Sequence, residues 1–507
     1  MPLQALAAVA TLIGFVPHGN RVELRLDRGS AELVWITPST FRFRRVLEGP
    51  LPTAKTKEGE PVNVTADDLP GTVRIRSRYL DVAIQKHGLL LRVRRLDGTP
   101  LMTDLSEPQS EAAGVTWERQ SPSGAQLYGL GPRTDTVFDL RGKSLRAEIP
   151  FLLCANGYGE YHAGRGGYHF DFTAVDRYRI QAPAIDYFFY YGPTAKEIFD
   201  EHRYARGTAE SGIGEGGHAA ADRFGSWTTL RTALLRLVQG AMSAALEPSF
   251  NLAPYNNAPP ELQQRARQLG SLAPTVTPGS VGVSEFRTQL ETFFSTYAAE
   301  LTDHGYPVWH PLPFQFPEDG EAARHVDEFM LGDEMLIAPV YQPGVERTVY
   351  LPRGIWTNLE TGEVAAGPLT ITVKTKALPV FVRNGVIIPL DSTGGALALH
   401  YFPKLAAEFF LLESDLAEYT QVHAAPAADI MRLEIESKKD RDYQWVVHHV
   451  EKPSEVGFDQ VKYRQVAESS HMADRTWFYD PATKILQVRI HVKPDEDNII
   501  NLEPPNK

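Results

Sequence analysis

The sequence is poor in the features that mark three common classes of protein. It has one cysteine, Cys154, among 507 residues, so no disulfide can form within the chain, which favours a reducing compartment. It has no run of 18 or more apolar residues, so no membrane-spanning helix is predicted. Acidic residues outnumber basic ones by 63 to 51, and the net charge of −12 argues against a nucleic-acid partner and gives no reason to expect a membrane partner.

Motifs for bound cofactors and metals are absent as well. There is no GxGxxG, no P-loop, no GxSxG and no zinc-type spacing of Cys and His, so we expect neither a cofactor nor a metal site. The start, Met1 to Val16, is apolar, but it has no basic segment and it continues into the alternating residues 21–26. We interpret it as a first strand rather than a signal peptide, and we expect a cytoplasmic protein.

What the chain does contain is enough material for several domains. From Thr11 to Tyr191, short alternating runs are separated by turn signals such as Asp97-Gly98, which predicts an antiparallel β-sandwich. Residues 207–217 are mostly Gly, Ser, Ala and Glu, which is the composition of a linker. A helical period follows, and the strand pattern returns from Thr348 onward. The apolar positions that predict the helices are Leu230, Leu234, Leu237, Val238, Ala241 and Met242, then Phe286, Leu290, Phe293, Tyr297 and Leu301, with a third helix from Pro259.

Three segments carry a family resemblance. Residues 127–134 (LYGLGPRT), 329–340 (FMLGDEMLIAPV) and 347–352 (RTVYLP) occur in the order found in glycoside hydrolase family 31. From near Thr11 to about Val492, the chain resembles this family of α-glucosidases and α-xylosidases. The resemblance implies a catalytic (β/α)8 barrel between flanking β domains.

We therefore expect a multidomain, β-rich α+β protein. The expected parts are an N-terminal β-sandwich (1–205), a truncated (β/α) barrel remnant (206–340), a proximal C-terminal β domain (341–392) and a distal one (393–507). The barrel is truncated because a complete one needs about 250 residues, whereas the resemblance leaves it only the stretch from Gly207 to Pro339.

The catalytic motifs of the family are largely missing. Family members use a carboxylate nucleophile and a second carboxylate as acid/base, and the nucleophile motif, roughly Trp-x-Asp-Met-Asn-Glu, occurs nowhere in this sequence. The resemblance aligns Asp222 with the acid/base position, but His218 and Ala219 stand where the family has Arg and Trp. The Arg and His that grip the substrate align with a segment that contains Thr277 and neither of those residue types.

The remaining candidate residues each have two interpretations. Asp222 is either a retained acid or the cap of the following helix. His218 is either catalytic or a solvated residue, and Asn251 either binds a sugar hydroxyl or stabilises a turn. Trp227 and Trp309 are either stacking platforms for a sugar ring or core residues.

Two functional hypotheses follow from the resemblance. The first is a carbohydrate-related protein that is inactive or severely impaired in O-glycosyl hydrolysis. The alternative is a working retaining α-glycosidase with a substituted nucleophile or a barrel completed by a partner. A faulty gene model or an internal loss without function is a third explanation of the short barrel. The expected ligand is an α-linked sugar held weakly in a shallow groove near Asp222, Asn251 and Trp227, and a second copy of the chain is a candidate cover for the open barrel edge.

Overall fold

The structure is a computed structural model, and it describes residues 9–54, 59–206, 225–244, 249–273, 275–277, 279, 282–392, 395–413, 415–426 and 430–505. The described residues fall into two compact units. The first takes the described parts of 1–217, 235–246 and 302–307. The second takes the described parts of 218–234, 247–301 and 308–507.

The first unit begins with an antiparallel sheet of eight strands. Its second strand alternates as a half-buried strand should, with Val22 and Leu24 buried and Glu23 and Arg25 exposed. The order across the sheet is β1-β2-β3-β4-β18-β15-β14-β12. The strands are β1 (Leu12–His18), β2 (Arg21–Leu26), β3 (Ser30–Thr37), β4 (Thr40–Val46), β12 (Leu127–Gly129), β14 (Phe151–Cys154), β15 (Tyr158–His162) and β18 (Ile185–Tyr191).

Two five-stranded antiparallel sheets complete this unit. Their orders are β5-β6-β7-β8-β9 and β10-β11-β17-β16-β13. The strands are β5 (Thr65–Leu69), β6 (Thr72–Arg76), β7 (Leu80–Gln85), β8 (Leu91–Arg95), β9 (Pro100–Thr103), β10 (Gln109–Glu111), β11 (Gly114–Gln120), β13 (Ser144–Ala147), β16 (Tyr168–Asp171) and β17 (Arg177–Ala182). Side chains from all three sheets, among them Leu33, Val82 and Ile180, share one hydrophobic core. The β-rich architecture predicted for the N-terminal part is confirmed.

A charged cluster lies inside this core. The Arg119 guanidinium pairs with Asp104 at 2.9 Å and with Glu160, and both Arg119 and Glu160 have side chains with almost no exposure. His162, also fully buried, lies 3.4 Å from Glu160. The cation lowers the pKa of Glu160 even though burial opposes ionisation, and burial lowers the pKa of His162. A buried charge of this kind is tolerated because it is paired.

Six α-helices are present in the described residues. They are α1 (Ala195–Arg206), α2 (Trp227–Ala241), α3 (Pro260–Gly270), α4 (Glu285–Gln289), α5 (Glu291–His304) and α6 (Leu312–Gln315). The apolar positions predicted for α2 and α5 are buried, so the helical period is confirmed. The pattern from Phe286 to Leu301 is divided between two helices, because the chain turns at Leu290. None of the described helices combines the length and apolar character needed to cross a membrane.

A parallel α/β element lies in the second unit. Strands β19 (Ser249–Asn251) and β20 (Thr275–Thr277) pair in parallel, and α3 connects them. The other parallel pairs of described strands lie further along the chain, within the sheets given below. The part of the chain that the structure describes therefore contains no closed barrel of eight parallel strands.

The next sheet of this unit is antiparallel and has the order β21-β22-β23-β26-β24-β25. Its strands are β21 (Trp309–Pro311), β22 (Phe329–Leu331), β23 (Met335–Ile337), β24 (Glu346–Asn358), β25 (Val364–Lys374) and β26 (Val380–Arg383). Buried side chains from both halves of the sheet, including Met330, Leu336 and Phe381, form one core. The strands before and after position 340 thus belong to the same sheet.

Two six-stranded sheets form the rest of the second unit, with orders β27-β28-β32-β37-β36-β35 and β29-β30-β31-β38-β33-β34. In the first, β28 pairs in parallel with β32, and β35 with β36. The strands are β27 (Val386–Asp391), β28 (Leu397–Phe402), β29 (Ala407–Glu413), β30 (Glu418–Ala425), β31 (Met431–Glu436), β32 (Arg441–Val447), β33 (Val456–Phe458), β34 (Val461–Lys462), β35 (Arg464–Gln465), β36 (Thr476–Asp480), β37 (Ile485–Val492) and β38 (Asp497–Leu502).

Candidate functional site

The carboxyl ends of β19 and β20 bring two of the sequence-predicted positions together. Asn251 and Thr277 are direct partners in the register of this parallel pair, and the Leu252 N–H donates to the Thr277 carbonyl at 3.0 Å. Loops at the carboxyl ends of parallel strands are the usual place for a site in α/β proteins. This edge is therefore the candidate site within the described residues.

Asn251 uses its side chain to shape the loop that follows it. Its Oδ1 accepts a hydrogen bond of 2.9 Å from the Ala253 backbone N–H, and a short 3-10 turn, Ala253–Tyr255, comes next. A side-chain oxygen that accepts from the backbone two residues later is an Asx turn, which stabilises loops by itself. The structure thus supplies the turn role that the sequence left open for this residue.

The start of α2 lies against the same loop. The Gly225 N–H donates to the Pro254 carbonyl at 2.8 Å, and a Cβ at position 225 would collide with the Tyr255 ring. Trp227, two residues later, opens α2 and is half-buried. Trp227 therefore follows, two residues later in the chain, the Gly225 that contacts the loop after Asn251.

Ser226 occupies the cap position of α2. Its Oγ accepts from the Thr229 N–H at 3.1 Å, while the Thr229 hydroxyl accepts from the Ser226 N–H at 2.8 Å. Each side chain satisfies one backbone N–H of the first turn, as in a capping box. The cap that the sequence analysis offered as a role for Asp222 is thus filled by Ser226. Asp222 and His218 lie outside the described residues.

One carboxylate is present in the described residues of 225–277, and it is that of Glu261. Its Oε1 accepts a hydrogen bond of 2.8 Å from the Gly344 backbone N–H. Glu261 opens α3, where a negative charge favours the helix N-terminus. Its contact and its position both indicate a structural role.

Trp309 is a core residue and not a surface for a sugar. It has no exposed area, its indole N–H donates to the Leu272 carbonyl at 2.7 Å, and its ring stacks on Phe329. The interpretation of Trp309 as a stacking platform is wrong, because the ring has a protein partner on its face and no access to solvent. A buried indole that finds an acceptor is the usual arrangement.

Sequence reasoning missed a cluster of ionisable groups around the turn between β22 and β23. His310 Nδ1 lies 3.1 Å from Asp333 Oδ1 and 3.2 Å from Gln315 Oε1. The Tyr297 hydroxyl donates to Glu334 at 2.8 Å and accepts from the Asp333 N–H at 2.9 Å. The Gly332-Asp333-Glu334 run showed only that a turn was present, because the partners His310 and Tyr297 come from distant parts of the chain.

Burial dominates the electrostatics of this cluster. It raises the pKa of the Glu334 carboxyl to about 8, and the charge of Asp333 adds to the shift. Glu334 is therefore largely neutral at pH 7. Through the contacts of Tyr297 with Asp333 and Glu334, the cluster holds the β22–β23 turn against α5.

Two other chemistries are poorly supported. The described residues contain no group of three or more His, Cys, Asp or Glu side chains suited to a metal ion. Cys154 is buried, and burial raises the pKa of its thiol to about 12. A thiol with such a pKa supplies almost no thiolate at neutral pH, and the thiolate is the nucleophilic form.

Comparison with known proteins agrees with this architecture. Residues 305–388 match the glycosyl hydrolase family 31 C-terminal domain. An alpha-glucosidase of Saccharolobus solfataricus is 36% identical over 109 residues, which are 22% of this chain and 16% of that protein. Alpha-glucosidase 2 of Bacillus thermoamyloliquefaciens is 39% identical over 98 residues, which are 19% and 12% of the two chains. The alignments thus take in less than a fifth of either relative.

Solved structures of the family share the fold. The GH31 dextranase FjDex31A of Flavobacterium johnsoniae, complexed with glucose, gives a TM-score of 0.81 at 15% identity over 98% of this chain and 100% of its own. A cycloalternan-forming enzyme from Listeria monocytogenes, in complex with a pentasaccharide substrate, gives 0.80 at 15% identity over 98% and 77%. The chain thus has the fold of these GH31 enzymes, and its residues 305–388 match the C-terminal domain of that family.

Proposed function

We propose that this protein binds α-linked gluco-oligosaccharides and does not hydrolyse them at an ordinary enzymatic rate. The observation that carries the proposal is that the described residues in and between α2, β19, α3 and β20 contain one carboxylate. A retaining glycosidase needs two carboxyl groups about 5–5.5 Å apart. The described residues of 225–277 offer Glu261 alone, and its carboxylate accepts from the Gly344 N–H.

The sequence supports the same conclusion independently. The nucleophile motif of the family is missing, and Thr277 stands in the segment that aligns with the substrate-gripping Arg and His. Without a nucleophile no glycosyl-enzyme intermediate forms. Without the gripping groups, the interactions that strengthen in the transition state are lost.

The β19–α3–β20 element supports a barrel remnant as the origin of this region, because a strand, a helix and a parallel strand are the repeating unit of a (β/α)8 barrel. We place the remnant sugar site at its carboxyl edge, near Asn251 and Trp227. Asp222, which aligns with the acid/base position of the family, and His218 lie outside the described residues and are included only as candidates from the sequence. With few loops to enclose a sugar, a shallow groove and a Kd in roughly the millimolar range are expected.

The ligand class rests on the relatives. The sequence relatives are named alpha-glucosidases, and the dextranase was solved with glucose and, as a variant, with isomaltotriose. We therefore propose gluco-oligosaccharides with α linkages as the ligands of this chain.

The test is a hydrolysis assay of the full chain with an aryl α-glucoside, an aryl α-xyloside, isomaltotriose and maltotetraose. We expect turnover far below about 1 s⁻¹, the lower end of ordinary enzymes. The control is Asp222→Asn, which distinguishes activity of this chain from that of a contaminant. A turnover of about 1 s⁻¹ or more that Asp222→Asn abolishes would favour a working retaining α-glycosidase instead.

A further inference from the structure

A groove crosses the outer face of the sheet that contains β29, β30 and β31. Along β29, Phe409 and Leu411 point into the protein, whereas Glu408 and Phe410 point outward. The groove has a volume of about 260 Å³. That is slightly below the range of about 300–1,000 Å³ typical of pockets for drug-sized ligands, so its size suits a smaller molecule.

Two cross-strand rows of side chains line this groove. The register places Glu408 beside His423 and His423 beside Glu434; the next row has Phe410 beside Gln421 and Gln421 beside Glu436. The middle strand, β30, therefore carries His423 and Gln421 between the side chains of β29 and β31. Direct cross-strand partners are close enough to act on one ligand.

Phe410 distinguishes this face from an ordinary solvated one. Its side chain is 49% exposed although it is a large apolar residue. Single exposed apolar residues are common and need no explanation. This ring, however, lies in a concavity together with carboxylates, an amide and an imidazole, and small-ligand sites combine apolar surface with a few polar groups in this way.

The mixture matches the chemistry of a pyranose. Such a ring has an apolar C–H face, which an exposed aromatic ring can cover, and a rim of hydroxyls that both donate and accept hydrogen bonds. The carboxylates of Glu408 and Glu436 accept from hydroxyls, and the Gln421 amide does both. Charged acceptors give the stronger hydrogen bonds.

A metal ion fits this groove poorly. Neighbouring strands are about 4.7–4.9 Å apart, so Glu408 and Glu434 stand on backbones separated by two such spacings. Calcium needs its oxygen ligands within about 2.3–2.6 Å. Glu434 also has a cationic partner, since Arg432 lies 3.1 Å from its carboxylate.

We propose that this groove is a second sugar-binding site, which holds one glucosyl unit of an α-linked oligosaccharide with Phe410 against its C–H face. The class of ligand rests on the proposed function, while the position of the site rests on the sheet itself. Such a site tethers a long glucan through a surface separate from the remnant at β19 and β20.

Calorimetric titration of the full chain with maltotetraose and with isomaltotriose tests the proposal. We expect millimolar binding by the unaltered protein and about tenfold weaker binding or none at this site in Phe410→Ala. Gln421→Ala serves as a second variant, with a smaller loss. Both positions are exposed, and circular dichroism confirms that the variants fold.

Phe458→Ala is the matched control. Phe458 lies on β33 of the same sheet, is 43% exposed and does not line the groove, so its replacement should leave binding unchanged. Trp227→Ala reports on the remnant site in the same titrations.

Three outcomes would overturn the groove proposal. They are sugar binding whose affinity and stoichiometry are unchanged in Phe410→Ala, no sugar binding at all by the unaltered protein, and Phe410-dependent binding of a tetralysine peptide in place of sugar. Hydrolysis of the same oligosaccharides is measured in parallel. Cleavage would defeat the non-hydrolytic proposal alone, since Phe410→Ala still reports whether the groove binds sugar.

Discussion

Asn251 Oδ1 accepts a hydrogen bond of 2.9 Å from the backbone N–H of Ala253. The residue that stands at the carboxyl end of a parallel strand thus stabilises its own loop. The same loop meets Gly225, just before α2. The shape of the candidate site therefore depends on this side-chain oxygen.

Replacing Asn251 by Ala should destabilise the protein by about 1 kcal/mol, because the Ala253 N–H loses its acceptor. Asn251→Asp keeps the oxygen and should stay close to the unaltered protein. Urea denaturation measures both, with Asn257→Ala at an exposed position of the same loop as the control. An Asn251→Ala variant of unchanged stability would contradict the structural role.

Removing the buried carboxylate of Glu160 should have a larger effect. Glu160→Gln takes a charge away from Arg119, which then keeps Asp104 as its ionic partner. Breaking a buried ion pair costs about 3–5 kcal/mol, and the remaining partner favours the lower end. Denaturant unfolding provides the measurement.

Glu118, which directly precedes Arg119 on β11, supplies a matched control. Glu118 pairs with Arg179, whose side chain is well exposed. Exposed pairs contribute about 0–1 kcal/mol, so Glu118→Gln should change stability little. Equal losses in the two variants would argue against a buried network.

Acid should weaken the C-terminal part through a pair of histidines. His400 Nδ1 lies 3.0 Å from His448 Nε2. Burial lowers the pKa of His400 to about 4 and that of His448 to about 3, and the charges of His400 and His449 add to the shift of His448. The folded state therefore favours the neutral imidazoles.

The sign follows from the ordinary histidine pKa of about 6.5. Above that pH both histidines are neutral in the folded and the unfolded protein, so they do not change the free energy of unfolding. Below it, the unfolded chain binds protons that the folded pair does not bind, so stability falls as the pH drops toward 4. The loss from His400 reaches up to about 3 kcal/mol. His400→Gln should flatten this decline, whereas His471→Gln at an exposed position should not, as thermal unfolding between pH 4 and 7 will reveal.

Glu334 should act in the opposite direction. Its pKa of about 8 means that the folded state keeps a proton that the unfolded chain releases above about pH 4.5. This contribution to stability is complete below pH 4.5 and is lost as the pH rises to 8, with a slope of up to about 1.4 kcal/mol per pH unit.

Glu334→Gln removes that slope while it keeps an acceptor for the Tyr297 hydroxyl. Unfolding measured at pH 5, 6.5 and 8 should show a flatter profile in the variant than in the unaltered protein. Glu318→Gln, at an exposed position, is the control. A profile unchanged by Glu334→Gln would mean that the carboxyl is ionised in the folded protein.

The sequence predicts the structural features that depend on residues close together within one strand or helix. Alternation predicts the strands of the first unit, and the 3.6-residue period predicts α2 and α5, because burial of one face determines both patterns. The helical period cannot show whether Ser226 or Asp222 caps α2, because the cap depends on the residue at which the helix begins.

Contacts between distant segments explain the other differences. Trp309 is half of a stacked pair whose partner, Phe329, lies twenty residues away on another strand. The rows in the groove join β29, β30 and β31 through their register, and a shift of one residue would turn Phe410 inward. Register follows from the assembled sheet, so neither feature is visible in a linear pattern.

The pairing of strands β21 to β26 in one antiparallel sheet limits where recombination can divide this part of the chain without separating paired strands. Strands from 309–337 and from 346–383 are hydrogen-bonded to one another, so a recombination breakpoint at position 340 would separate β23 from β26 and expose two unsatisfied edges. A breakpoint ahead of β21 leaves the sheet whole. Loss or exchange of sequence upstream of residue 309 therefore does not cut through these strand pairings.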